Sequence, residues 1–364
     1  MTIYSFQEFS MRSFIAFAAI ASLHAATGTA FADDRTETAV RLFLGMGNGS
    51  AVTADKVSSE NDDVVVKNLV LPMNGGAPGA NAKIHVKEMR FVGVEAVDAE
   101  MSFKGIAGSG LMISGEEAIA ARSMVMGPGK AKNLGVAAFA VEGDLSLTFM
   151  DIVAPSKSGT VRVSSYSLST TGDPAGVFKQ SARFDGVRSD QLKLGSASDG
   201  IQAEMSISGD GQARELDGTM SIKQAQFGEI RAKFSMERIE PANDRLSLML
   251  GYGLFAGAPK LKQASLSYMP AEQIRTMLMF MSGDQRKQMA GAVSPFVQGQ
   301  LGLDEEFARA AAAEVEKFLA MPVRLSIAFS PATPIGITEV QAASGDTRAE
   351  SKASLLGISI KSGQ

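Results

Sequence analysis

Few residues in this chain could carry out covalent or acid–base chemistry. There are two histidines, His24 and His85, and no cysteine, which excludes thiolate nucleophiles, disulfides and cysteine-held metals. A Ser-His-Asp triad or an imidazole-ligated metal would have to use His85, because His24 falls in an N-terminal segment that reads as removable. His85 shares strand parity with Lys83 and Lys87, so it is expected on the wet side of its strand. Ser109 lies between Gly108 and Gly110, but a nucleophile elbow needs glycine where Ala107 stands. No serine is followed three residues later by lysine. The run Met126-Gly127-Pro128-Gly129-Lys130 lacks the first glycine (Met124) and the hydroxyl (Ala131) of a phosphate loop, and it is expected to form a hairpin turn.

Paired carboxylates could still act as acid and base. The visible pairs are Glu116-Glu117, Asp62-Asp63 and Glu305-Glu306. Neighbours on a strand point to opposite faces, and Glu305-Glu306 suits the positive end of a helix, so solvated charge is the default for all three. The sequence shows no metal motif and implies no cofactor. Methionine is the one unusual abundance, at 20 residues. It serves either as flexible core filler or as an adaptable apolar surface. Copper ligation is disfavoured, since helical spacing already explains Met277 and Met281.

The elements that hold these residues are mostly strands. Ile84 and Val86 alternate with His85 and Lys87, whereas Met89 and Phe91 take the other parity, which predicts a bulge or bend near Lys87-Glu88. Leu145, Leu147 and Phe149 alternate with Ser146 and Thr148. The same period holds for Ile201 to Ile207, Ile230 to Met236 and Val323 to Phe329. One greasy and one wet face per strand means an antiparallel sheet buried on one side. The segment Leu246 to Phe255 reads as a buried strand. A loose cassette also recurs: an apolar residue, any residue, a turn-tolerant Asn, Gly or Asp, then an aliphatic. It occurs at Val66-Lys67-Asn68-Leu69, Phe103-Lys104-Gly105-Ile106, Phe149-Met150-Asp151-Ile152 and Phe184-Asp185-Gly186-Val187. A structural repeat and ordinary strand-end chemistry explain it equally well.

One block, about residues 270–320, breaks the pattern with helical spacing. Ile274, Met277, Leu278 and Met281 fall at i, i+3, i+4 and i+7. Gly283 should end that run and Asp284 cap the next, and Ser294-Pro295 should open another helix. Asp304 then caps a helix striped with Phe307, Ala311, Val315, Phe318 and Leu319, which Met321-Pro322 stops. Ile274, Met277, Leu278, Met281, Phe307, Val315 and Phe318 are therefore the surface expected to meet the sheet or an apolar ligand. The predicted fold is mainly β with a helical block (α+β): a long curved antiparallel sheet whose apolar face is covered by helices from about 270–320.

At the N-terminus, Arg12, the apolar core Phe14 to Leu23 and Ala30-Phe31-Ala32 have the form of a signal peptide, residues 1–32, with Met1 or Met11 as the start. The core is too short to span a bilayer, and the later helices fall short of the ~20 apolar residues a span needs. Cleavage near Ala32 would leave a β-rich domain over 33–258 and an α+β region over 259–364, in the periplasm or secreted. A net charge of −4 without a basic block disfavours nucleic acid as a partner. An outer-membrane barrel is disfavoured because tryptophan is absent and tyrosine scarce.

With the amphipathic strands and late helices in place, the pattern over about residues 50–260 resembles envelope proteins of the AsmA-like and YdgA-like kind. That resemblance implies a long curved sheet forming an apolar groove and, for some members, lipid handling. It supplies no site residue, and this chain is short by comparison. Three functions follow as expectations. The first is a non-enzymatic exported protein binding a lipid-like or other apolar ligand. The second is a structural protein with an envelope protein partner and a closed core. The third is a hydrolase using dispersed carboxylates.

Overall fold

The computed structural model describes residues 35–46, 51–72, 83–114, 118–134, 140–156, 159–173, 175–189, 200–240, 258–301, 303–336, 339 and 356–363. The expected signal peptide, the Glu116-Glu117 pair and the apolar stretch Leu246 to Phe255 lie outside them. The fold is mainly β, with antiparallel pairing throughout the strand pairs described. Two compact units divide the chain near residue 175. The first holds the described residues up to 173 together with 180–189, and the second holds 175–179, 200–240 and the described residues from 258 onward.

The first unit opens with helix α1 (Arg35–Phe43), as the apolar spacing of Val40 and Phe43 predicts. Its main strands are β1 (Lys56–Glu60), β2 (Asp63–Pro72), β3 (Lys83–Val92), β6 (Gly105–Ser114), β7 (Ile119–Met126), β10 (Leu145–Ser156), β11 (Gly159–Gly172) and β12 (Val177–Ser189), hydrogen-bonded in that order. Two excursions leave this meander. They are β4 (Glu95–Val97) with β5 (Glu100–Phe103), and β8 (Gly129–Lys132) with β9 (Ala140–Glu142). Together they form a second, four-stranded sheet in the order β4-β5-β8-β9.

The expected hairpin at Met126-Lys130 is thereby corrected. β7 pairs with β6 and β10, while β8 pairs with β5 and β9, so Gly127-Pro128 carries the chain from one sheet to the other. The glycines there permit close approach. A Cβ on Gly127 would run into the Ser146 hydroxyl, and one on Gly129 would lie 2.7 Å from the Phe103 ring.

Three elements meet at three phenylalanines. Phe43 of α1, Phe91 of β3 and Phe103 of β5 are mutually edge-on, with centroids 5.8, 5.9 and 6.3 Å apart. Phe91 and Phe103 are almost wholly buried, with Val66, Met89 and Met101 also in this unit's core. Edge-to-face contact adds about 0.5–1.5 kcal/mol per pair beyond area burial.

Seven strands of this unit change burial parity along one shared row. In β2 the buried residues are Val64 and Val66, then Leu69 and Leu71. In β3 they are Ile84 and Val86, then Met89 and Phe91, and in β10 Leu147 and Phe149, then Ile152 and Ala154. Six of the strands hold two consecutive unburied residues at the change, Lys67-Asn68, Lys87-Glu88, Ser109-Gly110, Arg122-Ser123, Met150-Asp151 and Ser164-Ser165, and β12 holds a longer run from Arg183 to Gly186. Because neighbouring strands both carry the extra residue, the ladder resumes in register, with Lys67 facing Glu88 before the row and Leu69 facing Val86 after it. Every second strand supplies a left-handed residue there: Asn68 (φ 50°), Gly110 (60°), Asp151 (50°) and Gly186 (64°). The parity change expected near Lys87-Glu88 belongs to this row. So do three of the four cassettes, whereas Phe103-Lys104-Gly105-Ile106 instead spans the junction of β5 and β6. An inserted residue of this kind bends a strand and turns its greasy side back toward the core.

The second unit pairs β13 (Ile201–Asp210), β14 (Glu215–Gln224), β15 (Gly228–Glu237), β16 (Lys260–Pro270), β17 (Leu325–Phe329) and β19 (Ile358–Ser362) in that order, with β18 (Ile335–Gly336) on β16. Its helices are α2 (Glu272–Met279), α3 (Gly283–Gly291), α4 (Val293–Leu301) and α5 (Glu305–Ala320).

Two caps differ from expectation. Ser282, not Asp284, caps α3, in a reciprocal capping box with Gln285. The break before α4 falls at Ala292, so Ser294-Pro295 sits inside its first turn, where a missing N–H costs nothing. Asp304 does cap α5, accepting the Phe307 N–H at 2.6 Å. The boundary expected at 258 adjoins the undescribed residues 241–257, and the contacts of β13 to β15 group them with the helical region.

Candidate functional site

The second unit's strands place their apolar residues in aligned cross-strand rows. One runs Met205, Met220, Ala232, Leu266, Ile327 and Ile360 across six strands. The next runs Ala203, Ile222, Ile230, Tyr268 and Leu325, and a third runs Ile207, Gly218, Phe234, Ala264, Phe329 and Ile358. Gly218 has a steric reason to be glycine, since a Cβ there would collide with the Phe234 ring. Gly209 makes room for the Phe178 ring in the same way. An aromatic ring laid over a strand glycine restores the burial that the missing side chain gives up.

The helices pack at one end of these rows. Leu278 of α2 and Phe318 and Leu319 of α5 form a buried cluster with Ile274, Met281, Val315, Tyr268 and Leu325 packed against it. A second cluster of Val297, Leu303, Ala308 and Ala311 receives Phe307, Val293, Ile358 and Ile360. The Tyr268 ring sits 6.1 Å from that of Phe318, and its hydroxyl donates to the Phe227 carbonyl at 2.7 Å. Burial pushes the Tyr268 hydroxyl pKa up.

Of the seven residues expected on the sheet- or ligand-facing surface, the structure gathers Ile274, Leu278, Met281, Val315 and Phe318 into one cluster and sets Phe307 in the other. Met277 departs from the group. It is 57% exposed, because α2 is only eight residues long and packs through Leu278 one position further round. Sequence spacing missed Tyr268 and Leu325 as partners of the first cluster and Ile358 and Ile360 as partners of the second. The alternation of Ile358 and Ile360 in the last strand was the signal that could have found them.

Other residues of the rows are exposed. Met220 is 39% exposed, and Ile230 and Leu266 are each 42% exposed. Phe280, at the end of α2, is 86% exposed. No helix among the described residues is long and apolar enough to cross a membrane.

The residues that could have carried chemistry are dispersed. His85 faces Val70 and Met112 in the ladder of the first unit. Among the described residues no group of three His, Asp or Glu could hold a metal. The Asp63 pKa is lowered, first by the Gly93 N–H at 3.0 Å and then by Arg90 at 3.1 Å. Glu100, Glu314 and Glu339 are also lowered by hydrogen bonds. A general acid needs the opposite shift. A concavity of about 530 Å³ in this unit is lined by polar residues of the opposite parity, among them Ser206, Asp217, Thr219, Lys233 and Gln263, and also by Phe234, Ala264 and Phe329 of the third row.

No curated protein matches the sequence. Residues 175–363, just over half of the chain and the stretch that holds these rows and helices, match the family described as "Uncharacterized protein", and the chain belongs to that family.

Proposed function

We propose that this chain is an exported, non-enzymatic envelope protein that binds a lipid-like or other apolar ligand along the apolar rows of the second unit, beside its helices. The observation that carries the reading is the unequal cover of a single row. Ile360, at one end, packs against the helical cluster, while Leu266 and Met220 leave about two fifths of their surface in water. In this reading the sheet is long and curved, helices between 270 and 320 cover part of its apolar face, and the uncovered strip is where a ligand lies.

Burying such a strip would contribute roughly 25 cal/mol per Å². Unbranched Met205 and Met220 would let one surface fit chains of different shape. Export and a periplasmic location are supported by the N-terminal segment, and the resemblance to AsmA-like proteins agrees with an apolar groove. Every carboxylate with a resolved shift among the described residues is lowered, the opposite of what the general acid of a carboxylate hydrolase requires.

Titration with a fluorescent long-chain fatty acid tests the proposal. Saturable binding that weakens at least tenfold in Leu266→Asp supports it. A probe signal no greater than that of an unrelated β-rich protein rejects it.

A second reading is favoured by the helices themselves. Met277, Met279, Phe280 and Phe296 present apolar side chains to solvent, as a docking surface for an envelope protein partner would. A photo-crosslinking residue at position 280 that captures one defined protein in cells would favour it over ligand binding.

A further inference from the structure

The second unit's sheet has a polar side as well as an apolar one. A trough of about 530 Å³ is lined by the polar Ser206 and Ser208 of β13, Asp217 and Thr219 of β14, Lys233 of β15, Gln263 and Ser265 of β16 and Ser330, together with Gly218, Phe234, Ala264, Ala328 and Phe329. The polar residues on β13 to β16 all share one parity, opposite to the apolar rows. Ser206 faces Thr219, Thr219 faces Lys233 and Lys233 faces Ser265, while Ser208 faces Asp217. The volume falls within the about 300–1,000 Å³ of small-molecule sites. Spacing is fixed by the sheet, at about 4.8 Å between strands and about 6.7 Å between same-side residues along a strand.

We infer that this trough is a second binding site, specific for an uncharged, hydroxyl-rich ligand of the carbohydrate class. Its lining offers hydroxyls and an amide that both donate and accept, which is what a sugar's hydroxyls require. Its one cation, Lys233, is balanced by its one anion, Asp217, so no net field selects a phosphate or an ammonium. Outside the trough, Lys262 pairs with Glu215 at 2.9 Å. An apolar ligand would strip water from eight polar side chains without replacing their hydrogen bonds, whereas a sugar can meet them with hydroxyls and offer its C–H faces to the apolar part of the lining. A pyranose ring has the dimensions of one cell of this grid, so a short oligosaccharide would lie along the trough, meeting a polar group at each ring. The polar side chains that define the site have the parity opposite to the apolar rows, so Thr219 and Gln263 can be changed without altering Met220 or Leu266.

The test uses the full mature chain, a panel of maltohexaose, chitohexaose and cellohexaose, and calorimetry at low and high salt. Thr219→Val and Gln263→Leu remove hydrogen-bonding groups while keeping residues that strands and surfaces tolerate, and circular dichroism checks that they fold. The inference expects one oligosaccharide to bind with an affinity that changes less than twofold with salt and falls at least tenfold in each folded variant. Should a variant not fold, Ser206→Ala takes its place. No binding across the panel overturns the inference. So does binding that the variants leave intact, or binding that salt weakens tenfold, which would mark an anion site.

Discussion

Glu314 of α5 accepts both the backbone N–H and the hydroxyl of Ser362 in β19, at 2.8 and 2.9 Å through the same oxygen. The Gly363 N–H bonds to Arg324 on the neighbouring strand, so the Ser362 N–H points the other way, toward the helix. The helix therefore satisfies a backbone donor that a sheet edge would otherwise leave open to another chain. Lys317 holds the second Glu314 oxygen at 2.6 Å. These bonds, Lys317 first and then Ser362, lower the Glu314 pKa to about 2.

A depressed carboxylate pKa stabilises the fold above the group's unfolded value. For Glu314 that contribution is present above about pH 4.5 and is lost as pH falls toward 2. Glu314→Gln should cost about 1 kcal/mol near neutral pH, allowing for partial exposure and loss of charge assistance. The gap to wild type should close as pH approaches 2. Chemical denaturation of both proteins between pH 2 and 7 checks this, and a gap that stays constant with pH would count against it.

The phenylalanine junction of the first unit makes a separate demand. Phe103→Ala should cost about 3–5 kcal/mol, since it opens a cavity where helix α1 and both sheets meet. Loss of Phe103 should also unpin Phe43, so hydrogen exchange in α1 should rise more than in the distant strands β10 and β11. Uniform exchange across the unit would contradict the junction's role.

The left-handed row separates backbone need from surface charge. Asp151 stands at φ 50° and also pairs with Arg122 at 2.9 Å, both side chains well exposed. Such a pair is worth little, so Arg122→Ala should change stability by less than about 0.5 kcal/mol. Asp151→Gly should be neutral or mildly stabilising, while Asp151→Val should cost more than about 1 kcal/mol because a β-branched residue resists positive φ. Gly186→Ala should cost about 1–2 kcal/mol from the left-handed backbone alone, and more where its Cβ meets the Ser164 hydroxyl. Urea midpoints of the four variants give the ranking.

Much of this architecture was readable as spacing. Strand period marks β10, β13 and β15, and Asp304 with Glu305 and Glu306 marks the start of α5, because alternation and capping are local. The shared parity change was visible at Lys87-Glu88 and in three cassettes. Its extent across seven strands was not, because which strands are neighbours is a long-range property. The excursion at Gly127-Pro128 was misread for the same reason: a hairpin and a crossover share turn chemistry. The helical stripe was legible, but Met277 was assigned to it by spacing that an eight-residue helix does not have to honour. The partners Tyr268 and Ile360 come from strands far apart in sequence. The polar trough could not be read at all, since serine and threonine on a wet face look alike whether the sheet is flat or concave.

The central claim is that the uncovered apolar strip around Met220, Ile230 and Leu266 holds a lipid-like ligand. Native mass spectrometry of the protein purified without detergent, run beside Met220→Asp/Leu266→Asp, tests this. The account predicts an added lipid mass on the wild-type protein and its loss from a folded double variant. A wild-type protein that carries no lipid, or a variant that keeps it, would contradict the account.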